Sequence, residues 1–222
     1  MTREDFIKCY WDYYMALEDD FLKTERYVSF NLGDNFLYNS STPANLENSI
    51  CFSNEYIKQY QAICSEIDVL LKSICLEINI NSKADNMPQY TKVVLGQWPQ
   101  IEKQKVLFKE FELQPFGGWT CIPQYNSPEW WTQYNEVKHH RLDSFKKANL
   151  KNTVNSLAAL YVLECYIVKY IGDRDGEYDV PNNISQLFEI KNFVTREKVI
   201  GRNQYLASAA DIEKTVNEIF NT

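Results

Sequence analysis

The chain has 222 residues, a formal net charge of −7, and 45% hydrophobic and 14% aromatic residues. That apolar content excludes a disordered chain and suffices for one substantial core, whereas two equal domains would be a tight fit. The negative field of the whole molecule repels polyanions, so any contact with nucleic acid must be local.

The opening residues MTREDFIKCYW carry charges where a signal peptide needs an uninterrupted apolar stretch. The longest purely apolar run, LAALYVL at 157–163, is far short of the roughly 20 residues of a membrane span. The chain therefore reads as a cytoplasmic protein with no membrane partner.

Over residues 3–28, Phe6, Tyr10, Tyr13, Tyr14, Leu17, Phe21 and Leu22 recur at the three-and-four spacing of an amphipathic helix with an acidic outer face. Residues 30–50 are rich in Asn, Ser, Gly and Pro and read as a long loop. Ser53 caps a second helix over 53–80, whose broad stripe through Tyr60, Ile67, Leu71 and Ile78 marks it as central. From 86 to 126, prolines and glycines punctuate short runs such as KVVL (92–95) and VLFKEFEL (106–113). This stretch reads as an irregular or short-stranded insertion with no long helix.

Ser127, Pro128 and Glu129 offer an N-cap, a first-turn proline and a first-turn acid for a helix over 128–148. Asn149 marks a kink or a new cap, and Leu150 to Ile171 forms the most apolar helix. DRDGEYD (173–179) lacks the acids of a calcium loop and reads as a polar turn. A loop-rich stretch at 176–204, with QLFEI extended, leads to a last helix over 208–220 that Ser208 caps. The fold class is thus all-α, a helical bundle in a single domain over 1–222. The six cysteines show no paired spacing and read as buried reduced thiols, with no metal.

Both histidines fall in WWTQYNEVKHHR (130–141). A helical projection of about 100° per residue sets Trp131, Asn135, Lys138, His139 and Leu142 on one face and Gln133, Glu136, His140, Asp143 and Lys147 on the other. Asn135 stands one turn before His139, where its amide can orient the imidazole for proton transfer, or merely satisfy it against a neighbouring helix. Residues 138–151 hold the bases Lys138, Arg141, Lys146, Lys147 and Lys151 against one acid, Asp143. Such a cluster suits an anion, and equally suits the acidic first helix.

PFGGW (115–119), Trp130 with Trp131, Tyr134-Asn135 followed by Lys138-His139 and Arg141, Phe145 and Ala148-Asn149-Leu150 together resemble the helical hairpin of uncharacterised bacterial proteins related to the HEPN superfamily (higher eukaryotes and prokaryotes nucleotide-binding). The resemblance covers residues 115–171. It implies a HEPN-like helical bundle, a homodimer, and a metal-independent ribonuclease of a defence or toxin system that needs no cofactor. On that reading Asn135 and His139 are catalytic, and Lys138 and Arg141 bind the phosphate. Tyr134 stands where the catalytic Arg of the motif belongs. The alternative is a catalytically inactive helical module that recognises RNA, a nucleotide or a partner protein.

Overall fold

The computed structural model describes residues 1–33, 47–176 and 184–190. The expected helix over 208–220 and most of the loop over 30–50 lie outside them.

The first helix is built in three pieces. Thr2 Oγ1 accepts from the Asp5 amide and the Asp5 carboxylate reciprocates, which closes a capping box on α1 (Arg3–Phe6). The chain then passes through a π-helical turn, Ile7–Trp11, into α2 (Asp12–Lys23). The wider turn keeps Phe6, Trp11 and Tyr14 all buried, with the Trp11 and Tyr14 rings 5.1 Å apart.

Helix α3 (Asn54–Ile78) starts where its cap was expected, with Ser53 Oγ accepting from the Tyr56 amide at 3.0 Å. Its buried stripe runs from Tyr56 to Ile74. The 86–126 stretch departs from expectation, because α4 (Met87–Gln97) occupies its first third. Asn86 caps it at the Gln89 amide, and Pro88 sits in the first turn, where its missing N–H costs nothing. Pro99 falls beyond the C-terminus, so the prolines delimit a helix here, and KVVL lies inside it.

VLFKEFEL makes the antiparallel hairpin of β1 (Val106–Phe108) and β2 (Phe111–Leu113). Lys109 turns it at φ 53°, held by an ion pair to Glu25 and by its ammonium 5.1 Å from the centre of the Phe30 ring.

Helices α5 (Glu129–His139) and α6 (Arg141–Ser144) follow, then α7 (Leu150–Asp175). Asn149 caps α7 by accepting from the Asn152 amide, and Gly176 ends it in the left-handed conformation at φ 69°. Helix α7 is long and apolar enough to cross a membrane, but 67% of its apolar window is buried inside the fold, where it packs along α3. Strand β3 (Phe188–Ile190), part of the extended QLFEI, returns to β1, giving the antiparallel order β2-β1-β3. The architecture is therefore predominantly helical, roughly the bundle expected, with a small antiparallel sheet whose strands β1 and β2 lie in the expected short-stranded insertion. One apolar core runs through helices and sheet alike.

All six cysteines are free thiols. Only Cys64 and Cys75 are fully buried, however, and Cys9 is exposed.

Candidate binding cleft at the histidine pair

Helix α5 differs from the sequence reading at both ends. Pro128 rather than Ser127 is the residue before the first turn, and the Ser127 hydroxyl instead meets that of Thr132 at 2.8 Å. The helix stops at His139, because His140 leaves helical geometry at φ −132° and ψ 48°. The chain then folds back through α6 and a 3-10 turn, Phe145–Lys147, which buries Ser144 and Ala148. Phe145 meets Phe52 edge-on at 5.3 Å, and the Leu150 amide donates to the Cys51 carbonyl at 2.9 Å. These tertiary contacts break the expected 128–148 helix.

The aromatic residues of α5 divide by role. Trp130 is a core residue, its indole N–H donating to the Pro115 carbonyl at 2.6 Å while its own carbonyl accepts from the Tyr60 hydroxyl. Phe116, from PFGGW, stacks on Trp119 at 4.8 Å and completes this cluster. Tyr134 is also buried, 5.8 Å from the Tyr60 ring, and desolvation pushes its phenol up to about 12. Trp131, 9% exposed, remains in reach of a ligand.

A cleft of about 630 Å³ opens beside α5. Asn135, His139 and Trp131 line it, as does His140, which the projection had set on the opposite face. The projection fails for His140 because that residue is outside the helix. Across the cleft stand Asp68 of α3, Asp85 before α4, and Tyr125. Glu136 also faces it, tied to Lys147. Lys138 and Arg141 are not among the lining residues. Lys138 Nζ lies 5.6 Å over the Tyr134 ring instead.

Trp131, Asn135 and His139 share the face that borders the cleft, as the projection sets them, although both histidines are exposed and Leu142, beyond the end of the helix, is 95% exposed. Among the described residues no hydrogen bond joins Asn135 to His139. The basic cluster is also less free than its composition suggests. Lys147 pairs with Glu136, and Lys151 with Glu129 at 2.9 Å. These partners are on α5, so the expected match to the acidic first helix is not made.

Burial raises the Asp68 carboxyl above its ordinary value, an effect that Lys138 and Lys72 partly offset. The hydrogen bond from Lys147 lowers that of Glu136. Beside the two histidines, the cleft thus presents three acids and two aromatic rings and, among the described residues, no lysine or arginine for a phosphate. Asp68 and Asp85 were missed by sequence reasoning, since nothing local marks either one and only the packing of α3 and the α4 entry against α5 brings them together. Among the described residues no group of three or more His, Cys, Asp or Glu side chains is placed to hold a metal ion.

Comparison of the chain with protein-family models, curated proteins and solved structures finds no match in any of the three.

Proposed function

We propose that this chain is a catalytically silent binding module on a HEPN-like helical scaffold, whose cleft takes a lysine or arginine side chain of a partner protein. One observation carries the reading: Asp68, Asp85 and Glu136 line the same cleft as Trp131 and Tyr125, while Lys138 and Arg141 stay outside its wall. A cation set among carboxylates and ring faces gains from both, and more as water leaves. Ribonuclease chemistry needs the opposite, a cation to stabilise the charge developing on the phosphorane. The positions of Asn135 and His139 in the cleft still favour catalysis, but without the hydrogen bond that would orient the imidazole.

Fluorescence anisotropy with a labelled arginine-rich peptide and a labelled single-stranded RNA tests this directly. The peptide should bind, weaken with salt, and weaken further when Asp68→Asn and Asp85→Asn are combined. Tighter binding of RNA than of peptide would overturn the proposal, as would RNA cleavage in EDTA that His139→Ala abolishes. Sedimentation of the same samples reads the homodimer that the resemblance implies.

A further inference from the structure

A second cavity, of about 460 Å³, lies where the end of α2 meets the start of α3. Tyr27, Val28, Tyr56 and Gln59 are among its walls, and Asp20, Lys23, Glu55 and Lys58 stand around them. Each of these lysines already has a carboxylate: Lys23 meets Asp20 at 2.9 Å, and Lys58 meets Glu55 at 3.2 Å. The charges cancel locally, so the cavity favours neither an anion nor a cation.

Its polar interior is unsatisfied in a specific way. Gln59, 4% exposed, donates from Nε2 to the Asp20 carbonyl at 3.0 Å and to Glu55 Oε1 at 2.9 Å. Turning the amide over would set its oxygen against two acceptors, so the orientation is fixed, and Oε1 is left with no donor. One turn earlier, the hydroxyl of Tyr56, 1% exposed, also has no hydrogen-bond partner. The Thr24 hydroxyl, also in the cavity wall, commits its proton to the Phe21 carbonyl at 2.7 Å. Burial keeps the phenol protonated, hence a donor. Buried polar atoms are nearly always paired, and two orphans of complementary kind on one helix face are a reason to look for a ligand.

We propose that this cavity binds a small, flat, uncharged molecule whose edge carries a carbonyl acceptor beside an N–H donor, as in a lactam or carboxamide. Its carbonyl takes the Tyr56 hydroxyl and its N–H donates to Gln59 Oε1, while its ring lies against Tyr27 and Val28. Tyr56 and Gln59 both line the cavity, and the Gln59 amide keeps its two donor bonds while its Oε1 accepts from the ligand. The site is independent of the acidic cleft, since Asp68 lies nine residues further along α3, roughly 13 Å away.

The test is an NMR titration of the full chain with 2-pyridone, followed at the Gln59 side-chain amide, with N-methyl-2-pyridone and benzoate as controls. We expect saturable shifts with 2-pyridone, and binding about tenfold weaker once N-methylation removes the donor. Tyr56→Phe deletes only an unpaired hydroxyl, so it should keep the fold and lose about tenfold in affinity. The proposal is overturned if 2-pyridone gives no saturable shift up to about 10 mM. It is equally overturned if the N-methyl compound or the Phe variant binds as tightly.

Discussion

Glu18 Oε1 accepts a hydrogen bond from Ser185 Oγ at 2.6 Å, joining the first helix to the approach of the last described strand across 167 residues of sequence. The same oxygen accepts from the Gln186 and Leu187 amides at 2.9 Å each, and the Tyr14 hydroxyl donates to Ser185 Oγ at 3.1 Å. Glu18 is fully buried, so its carboxylate is tolerated only because these donors surround it.

Glu18→Ala should therefore strand the buried Leu187 amide and the part-buried Gln186 amide and cost about 2–4 kcal/mol. Glu18→Gln, which keeps an acceptor oxygen, should cost less. Denaturant unfolding reads the difference, and hydrogen exchange at Leu187 should accelerate in the Ala variant before the α3 core opens. Equal loss in the two variants would show that the negative charge, rather than the acceptor, holds the segment.

Glu164 is the contrasting case. It is fully buried on α7, neither of its oxygens has a hydrogen-bond partner, and desolvation, reinforced by Glu66, pushes its carboxyl well above the ordinary 4.5. The folded chain holds this proton more tightly than the unfolded one, so the unfolded state binds fewer protons as pH rises. Its contribution to stability is thus intact below the unfolded value of 4.5 and declines as pH climbs from there toward the raised folded value. Glu164→Leu should remove that decline and stabilise the protein at neutral pH by roughly 1–3 kcal/mol. Chemical denaturation of both proteins between acid and mildly alkaline pH checks it, and parallel curves would refute the assignment.

These two glutamates also mark the limit of the sequence. Where apolar residues recur every three or four positions and a capping residue precedes them, as at Ser53 and Asn149, the helices α3 and α7 were legible. Glu18 was not, because it stands among acids that really are exposed, Asp19 and Asp20, and its donors come from the far end of the chain. Helix α4 was obscured by Pro88 and Pro99, which break a helix interior but sit harmlessly at its two ends. The end of α5 at His140 has no Gly or Pro to announce it, since it follows from where Ser144 and Phe145 pack. In the candidate site, Asn135, His139 and Trp131 were legible as neighbours on one helix. The carboxylates opposite them, from α3 and the start of α4, were beyond any local pattern.

The adjacent tryptophans of α5 should separate stability from binding. Trp130 is 3% exposed with its indole N–H bonded to Pro115, so Trp130→Ala should cost about 3–5 kcal/mol and unfold a marginal chain. Trp131 lies at the edge of the cleft, and Trp131→Ala should cost only about 1–3 kcal/mol while weakening the arginine-rich peptide. Thermal melts and peptide titrations on the two variants check both halves. A Trp131 variant that binds like wild type would remove the ring from the recognition surface.

The sharpest contrast between the two functional readings is at Lys138 and the histidines. His139 and His140 are both exposed, both line the cleft, and neither is oriented by Asn135, so His139→Ala and His140→Ala should each alter stability by under about 0.5 kcal/mol and behave alike. A ribonuclease would instead lose about 10²-fold or more in rate at His139 alone. Lys138 stands over Tyr134 and is close enough to lower the Asp68 carboxyl, so its charge partly neutralises the acidic cleft. Lys138→Ala should therefore strengthen the arginine-rich peptide by about two- to fivefold and steepen its salt dependence, while Arg141→Ala leaves it unchanged. Were Lys138 a phosphate contact, the same substitution would weaken RNA and flatten its salt dependence. Anisotropy titrations at two salt concentrations distinguish these outcomes by sign, and weaker binding of both ligands in Lys138→Ala would return the residue to phosphate recognition.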